Sequence, residues 1–130
     1  MVFYYELIDN ADQSIHAPTK KHIEDAGWDL PAYLPNGPHI IPARGSAAIP
    51  TAIKTHFPDG YVAMIKSRSG LSIKNNIEHG AGVVDSKFSS NIIVKLYNHG
   101  DQDFIVEDGM RIAQLLFIPI YAGPIINWNK

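Results

Sequence analysis

Four dipeptides, Asn36-Gly37, Asp59-Gly60, His99-Gly100 and Asp108-Gly109, cut this chain at short intervals, and nothing between them sustains a helical repeat. Each sets a glycine, free of Cβ hindrance, at a point where strands reverse. The segments they bound are β-rich: Val2 to Ile8, Ser46 to Phe57, Tyr61 to Ile65, Ile92 to Tyr97, Phe104 to Val106 and Ile112 to Tyr121. No window of about 11 residues keeps apolar residues at helical spacing throughout. The expectation is an all-β chain of mostly antiparallel strands, a barrel or sandwich, with at most one short helix opening at Ser69. Asp9 to Lys21, polar and carrying His16, Pro18, Lys20 and Lys21, reads as a loop or arm.

A chain of 130 residues has room for one core, so residues 1–130 are expected to form a single domain. Charged residues are 18% of the chain and hydrophobic ones 45%. That balance is low in charge and makes burial against other subunits plausible. A net charge of −2 excludes a strongly basic footprint, so neither nucleic acid nor a membrane surface is an expected partner. The chain has no cysteine, which removes disulfides, thiolate metal sites and a cysteine nucleophile. Its six histidines, His16, His22, His39, His56, His79 and His99, never fall at metal-ligand spacing. Met1 to Glu6 lacks the pattern of a secretory leader, and no apolar run approaches the roughly 20 residues that span a bilayer. A soluble intracellular protein is the expectation.

The chemistry concentrates between Lys66 and Phe88. Arg68-Ser69-Gly70 offers a guanidinium fork, a hydroxyl and unencumbered N–H groups, a set that suits phosphate oxygens and equally suits a surface turn. Val83-Val84-Asp85 runs an apolar strand into a carboxylate, and Phe88 follows. Such an acid is either a turn former or a general base beside an aromatic wall, and spacing alone does not choose.

Arg68-Ser69-Gly70-Leu71 and Gly80-Ala81-Gly82-Val83-Val84-Asp85-Ser86-Lys87-Phe88 resemble the second and third motifs of the trimeric dUTPases. Ala26-Gly27-Trp28-Asp29-Leu30-Pro31-Ala32 resembles the first motif, and Gly109-Met110-Arg111-Ile112-Ala113-Gln114-Leu115 the fourth. The resemblance covers residues 24 to 120, with Ile49-Pro50-Thr51 between the first two motifs, and order and spacing make it specific.

It implies a β-barrel or β-clip fold, a homotrimer with sites between subunits, and hydrolysis of dUTP to dUMP and pyrophosphate with Mg2+ on the triphosphate. By that resemblance Asp85 activates the water, Arg68, Ser69, Gly70 and Gln114 hold the triphosphate, and Asp29 lies near the hydrated metal. The uracil is read by backbone groups about His79 to Val84, where Gly80, Gly82 and Val83 lie. Phe88, standing where the family usually has tyrosine, packs on the deoxyribose and excludes a 2′-hydroxyl. Arg111 is expected as an ion-pair partner, and the Ile125 to Lys130 tail, anchored by Trp128, as a contact to a neighbouring subunit. The expected location is the cytoplasm, a host's in the case of a viral protein.

The match departs at Lys87, where the family commonly carries an acid, and the 130 residues contain no glycine-rich segment like the family's fifth motif. Weakened turnover is the corresponding expectation, with a non-catalytic nucleotide-binding or regulatory module as the alternative. The related dCTP deaminases use a glutamate in the strand after the third motif, and Lys95 stands at that place. An ammonium cannot accept the proton that this deamination requires.

Overall fold

The computed structural model describes residues 1–129. Its longest ladder joins β6 (Tyr61–Lys66) to β11 (Arg111–Pro119), antiparallel from Gln114↔Lys66 to Pro119↔Tyr61. Strand β2 (Trp28–Pro31) flanks β11 and β8 (Val83–Val84) flanks β6, in the order β2-β11-β6-β8. A second sheet runs β4 (Ser46–Pro50), β9 (Ile93–Asn98), β7 (Ile77–Gly80). Two ribbons complete the set: β1 (Tyr4–Leu7) with β5 (Ile53–His56), and β3 (His39–Ile41) with β10 (Phe104–Val106). Every named pairing is antiparallel.

The sequence dictates the inner face through its period of two. In β9, Val94, Leu96 and Asn98 are buried while Ile93 and Tyr97 face out; in β4, Ala47 and Ile49 are buried. These side chains join Leu30, Ile41, Ile53, Ile65, Ile77, Ile112 and Leu115 in one apolar cluster. Phe3, Phe57 and Phe117 close one side with ring centroids 4.8 to 6.3 Å apart. Trp28 meets Phe117 edge-on at 5.7 Å, which makes it a packing residue, whereas Trp128 is 97% exposed.

The structure differs from the sequence reading at identifiable points. The stretch expected as one strand from Ser46 to Phe57 breaks at Thr51. There the Thr51 N–H and hydroxyl both donate to the Ile92 carbonyl, and the Ile92 N–H donates to Ile53 O. The chain thereby turns a corner from the β4 sheet into the β1-β5 ribbon. Strands β2, β3 and β7 are too short to show an apolar repeat, and Pro31 is tolerated because β2 is an edge strand. Two short helices occur where at most one was expected: α1 (Gln13–His16) and α2 (Ser69–Asn75). The first is capped by the Asp12 side chain on Ser14 N–H, and His16 pins it, its Nε2 lying 2.8 Å from Asp108 Oδ1. Among the described residues no helix is long and apolar enough to cross a membrane. The expected tail contact ends at Lys130, which lies outside the described residues.

Asn98 is the polar residue on which the second sheet closes. It is 1% exposed, donates through Nδ2 to Ile41 O at 3.0 Å and Gln102 O at 2.8 Å, and accepts from Gly100 N–H at 3.0 Å. Asn98→Ala strands these partners in the core and is expected to destabilise the fold by about 2–4 kcal/mol. A urea midpoint equal to that of the unaltered chain would show that solvent replaces them.

Candidate active site

The motif residues fall into two groups, set by the two ends of β6. At its C-terminal end the chain leaves the ladder at Lys66 and enters α2, with Arg68 extended at the helix N-cap position. Arg68 Nε donates to Asp29 Oδ1 at 3.0 Å and its Nη1 to Arg111 O at 3.2 Å. Arg111 Nη1 stands 4.0 Å from Asp29 Oδ2, so one carboxylate on β2 faces two guanidiniums. That is the ion-pair role expected of Arg111. With the register shift between Arg111 and Ala113, a β-bulge, Ala113 and Leu115 point inward and Gln114 stands opposite Asp29 and Lys66. Gln114 Nε2 donates to Ser67 O at 3.0 Å. Asp29, Arg68, Arg111 and Gln114 thus form one corner, and beside it a groove of about 620 Å³ is walled by Arg68, Leu71, Glu107 and Arg111.

The first N–H groups of a helix have no intrahelical partner, and those of Ser69 and Gly70 occupy that position here. A Cβ added at Gly70 would meet nothing within 4 Å, so the approach is open. This corner can receive an anion. It cannot by itself hold a bare cation: among the described residues no group of three His, Cys, Asp or Glu side chains converges.

The third-motif residues lie at the other end. Val84 pairs with Ala63 and Val83 with Met64, so the antiparallel register carries Asp85 past Val62, toward the start of β6. Arg68 is six residues further along the chain from Val62, a separation of about 20 Å at strand rise. The turn from Asp85 to Phe88 is closed by Phe88 N–H on Asp85 O at 3.1 Å and tied to the neighbouring hairpin by Ser86 Oγ on Asp59 Oδ1 at 2.6 Å. Lys87, the charge reversal noted in the sequence, stands 3.7 Å from Asp59, a surface pair. Hydrogen bonding from Ser86, with help from the Lys87 ammonium, holds Asp59 below the usual carboxylate range. Beside this turn Phe88, Val83 and Ile93 are exposed at 41%, 65% and 49%. They rim an apolar recess of about 140 Å³ floored by Ile65, Val84 and Ile92. Val83 therefore faces outward while Val84 is buried.

Between the groups lies the segment from Ile77 to Val84, where β7 and β8 follow one another in sequence yet belong to different sheets. Ala81 (φ 57°) and Gly82 (φ 103°) make the reversal. A Cβ at Gly82 would lie 2.7 Å from Ile65 O, and one at Gly80 would collide with the Tyr97 ring. Gly82 is required by its backbone conformation and close approach, whereas at Gly80 the Tyr97 ring would have to move. The side chains of Ser67 and His79 were not brought together by sequence, because a serine–histidine contact across twelve residues has no spacing signature. Ser67 Oγ accepts the His79 N–H at 3.1 Å and lies 2.8 Å from Nδ1. Burial pushes the His79 imidazole below its usual range, Lys66 pushes the same way, and Glu78 opposes them. Lys95, across from Gly80 in the ladder, presents an ammonium 5.6 Å from the Tyr97 ring.

The family model described as dUTPase matches residues 13–130. The chain is 40% identical over 100 residues to the deoxyuridine 5'-triphosphate nucleotidohydrolase of Candida glabrata, covering 77% of this chain and 67% of that protein. It is 40% identical over 110 residues to the protein of that name from Arabidopsis thaliana, covering 85% and 64%. It thus spans about two thirds of the length of these relatives. Among solved structures, the dUTPase from phage phi11 of S. aureus superposes with a TM-score of 0.87 at 19% identity, covering 100% and 97% of the two chains. A variant of that phage enzyme, similar at a TM-score of 0.86, 19% identity and 100% and 98% coverage, coordinates a structural Mg(II) ion. EIAV dUTPase superposes at 0.79 with 22% identity, covering 98% and 96%.

Gly82→Ala forces a side chain into a left-handed backbone against Ile65 O and is expected to destabilise by about 1–3 kcal/mol. Gly70→Ala, in open helix, is expected to leave stability unchanged or raise it by up to about 1 kcal/mol. Equal urea midpoints for the two variants would contradict this contrast.

Proposed function

The chain belongs to the dUTPase family, and on that premise we propose that it hydrolyses dUTP to dUMP and pyrophosphate. The observation that carries the reading is the corner of Arg68, Asp29, Arg111 and Gln114, in which Asp29 and Arg111 O hold the Arg68 guanidinium in place and Arg111 stands beside them. A triphosphate entering it meets Arg68 through N–H groups not used on Asp29 and Arg111 O, together with the Ser69 and Gly70 amides. The second N–H of the Gln114 amide, whose first is on Ser67 O, adds a donor. Preorganised donors of this kind stabilise charge that builds on the phosphates during cleavage.

Asp85 is assigned the water. Its carboxylate accepts the proton as the water oxygen attacks the α-phosphorus and the bond to the bridging oxygen of the leaving pyrophosphate breaks. Phe88 is assigned the deoxyribose. Its ring offers a 2′-hydroxyl neither room nor a partner, a penalty that falls on UTP alone. The uracil imide edge, a donor between two acceptors, suits the gap left by strands that do not pair with each other. Gly80 and Gly82 admit it, with Val83 at the rim.

The donor set fits a metal only when the substrate brings one. Mg2+ keeps several waters and takes its oxygens largely from phosphates, so Asp29, already facing two arginines, would reach it through water. The ion supplies neutralisation of the phosphate charge.

Within one chain Asp85 and Arg68 lie at opposite ends of β6, so a complete site takes Asp85 from one subunit and Arg68 from another. A homotrimer with three such interfaces is the assembly we assign. The exposed Val83, Phe88 and Ile93 are then covered by substrate and neighbour. Asp85→Asn is expected to lower kcat at least about 100-fold, with dUTP affinity largely kept. Refolding Asp85→Asn together with Arg68→Ala is expected to restore roughly a quarter of the unaltered activity, because random assembly joins an intact Asp85 to an intact Arg68 at about one interface in four. A mixture as inactive as its components would place both residues in one subunit's site. Phe88→Ala is expected to narrow the kcat/KM gap between dUTP and UTP; an undiminished gap means the sugar is read elsewhere.

A further inference from the structure

His16 is 5% exposed and meets Asp108 across 92 residues of chain, its Nε2 2.8 Å from Oδ1. A backbone N–H can only donate, and that of Asp12 donates to His16 Nδ1 at 3.0 Å. The ring therefore carries its proton on Nε2 and gives it to Asp108. Tyr33 meets the imidazole edge-on, with ring centroids 5.0 Å apart, and Asp108 Oδ1 also accepts the Leu34 N–H at 2.8 Å.

Asp108 and Gly109 are the central residues of the turn that leads into β11, closed by Met110 N–H on Glu107 O at 3.1 Å. Gly109 (φ 79°) brings this turn against α1, where an added Cβ would lie 2.7 Å from Ile15 Cγ2. The pairing of β11 with β2 shifts between Arg111 and Ala113, so the bulge separates Arg111 from the regular ladder beyond it. Arg111 is thus placed by the turn before it as well as by the strand after it. Two contacts of the guanidinium corner depend on that placement: Arg68 Nη1 donates to Arg111 O at 3.2 Å, and Arg111 Nη1 stands 4.0 Å from Asp29 Oδ2. Asp108, Gly109 and Met110 also line the groove beside the same corner.

We propose that His16 and Asp108 are positioning residues for the triphosphate: the imidazole fixes the carboxylate, the carboxylate fixes the turn, and the turn sets Arg111 and the carbonyl that orients Arg68. The inference rests on the reading of the corner as the triphosphate site. His16 touches no substrate in this role and acts through Asp108.

The test uses the full chain and two ligands: a dUTP analogue with nitrogen bridging the α and β phosphates, and dUMP, which carries a single phosphate. In His16→Gln the amide nitrogen takes the place of imidazole Nε2 and keeps the donor to Asp108. In His16→Asn the amide oxygen takes the place of Nδ1, keeps the Asp12 N–H and falls short of Asp108. His16→Asn is expected to weaken binding of the triphosphate analogue roughly 3- to 30-fold by calorimetry with dUMP affinity kept, and His16→Gln to restore most of that loss. Asp108→Ala is expected to reproduce the loss, and His16→Asn added to it to lose nothing more. In nitrogen-15 spectra the Arg68 Nε–H resonance is expected to move in His16→Asn and to stay in place in His16→Gln. Should Asp108→Ala fail to fold, the two His16 variants decide the matter. Unchanged affinity for the triphosphate analogue in His16→Asn, a loss shared equally by dUMP, or losses that add in the double variant overturn the inference and leave the hydrolase reading standing. The expected pattern of binding, in a chain that releases no pyrophosphate from dUTP with Mg2+, supports the inference and removes the hydrolase reading instead.

Discussion

The ladder between β6 and β11 is the constraint on which the rest depends. It runs without interruption from Gln114↔Lys66 to Pro119↔Tyr61, and each functional segment is attached to one of its ends or edges. The first and fourth motifs meet because β2 lies on β11 with Asp29 opposite Gln114. The second motif joins them because β6 ends at Lys66, one residue before Ser67. The third motif runs back along the other edge of β6. A one-residue slip would exchange the buried Ala63 and Ile65 for Met64 and turn Gln114 into the core, so the apolar alternation and the site register are a single choice.

The corner of Asp29, Arg68 and Arg111 shows how charge is held by charge. Arg68 and Arg111 would repel each other in an empty site, and Asp29 lies between them with its side chain 24% exposed. Its contribution is geometric more than energetic, because a partly exposed ion pair adds little net stability. What it does is fix the Arg68 plane by engaging Nε, so that the rest of the fork is already oriented. An arginine left to search its rotamers would charge that ordering against binding.

Sequence made the β-rich class legible because turn dipeptides and apolar strands are local signals, as in β6, β9 and β11. It also made the family motifs recognisable, since Arg68, Asp85, Gln114 and Asp29 sit in short runs with characteristic neighbours. What stayed illegible depends on distance along the chain. The break at Thr51 is caused by the carbonyl of Ile92, and α1 is held by Asp108, far beyond anything a local window contains. The outward face of Val83 has no local signal for a related reason. An apolar pair reads as core unless the pairing partner is known, and β8 is an edge strand that leaves one face uncovered. Ser67 carries the same lesson, since its role is defined by His79 and Gln114.

The segment from Ile77 to Val84 departs from ordinary strand behaviour, and the departure follows from its neighbours. Ile77 is buried and Val84 nearly so, which ties each strand to its own sheet by apolar burial worth about 2 kcal/mol per side chain. Closing β7 onto β8 would require pulling one of them out of the core for a few backbone hydrogen bonds of about 1 kcal/mol each. Burial wins, and the facing backbone edges stay apart. The His79 N–H would be an unpaired donor in that gap, and Ser67 Oγ satisfies it. The facing edges of β7 and β8 are two of several open strand edges in the fold, and here the reversal at Ala81 and Gly82 and the His79 imidazole lie beside them. An open edge of this kind ordinarily invites another chain.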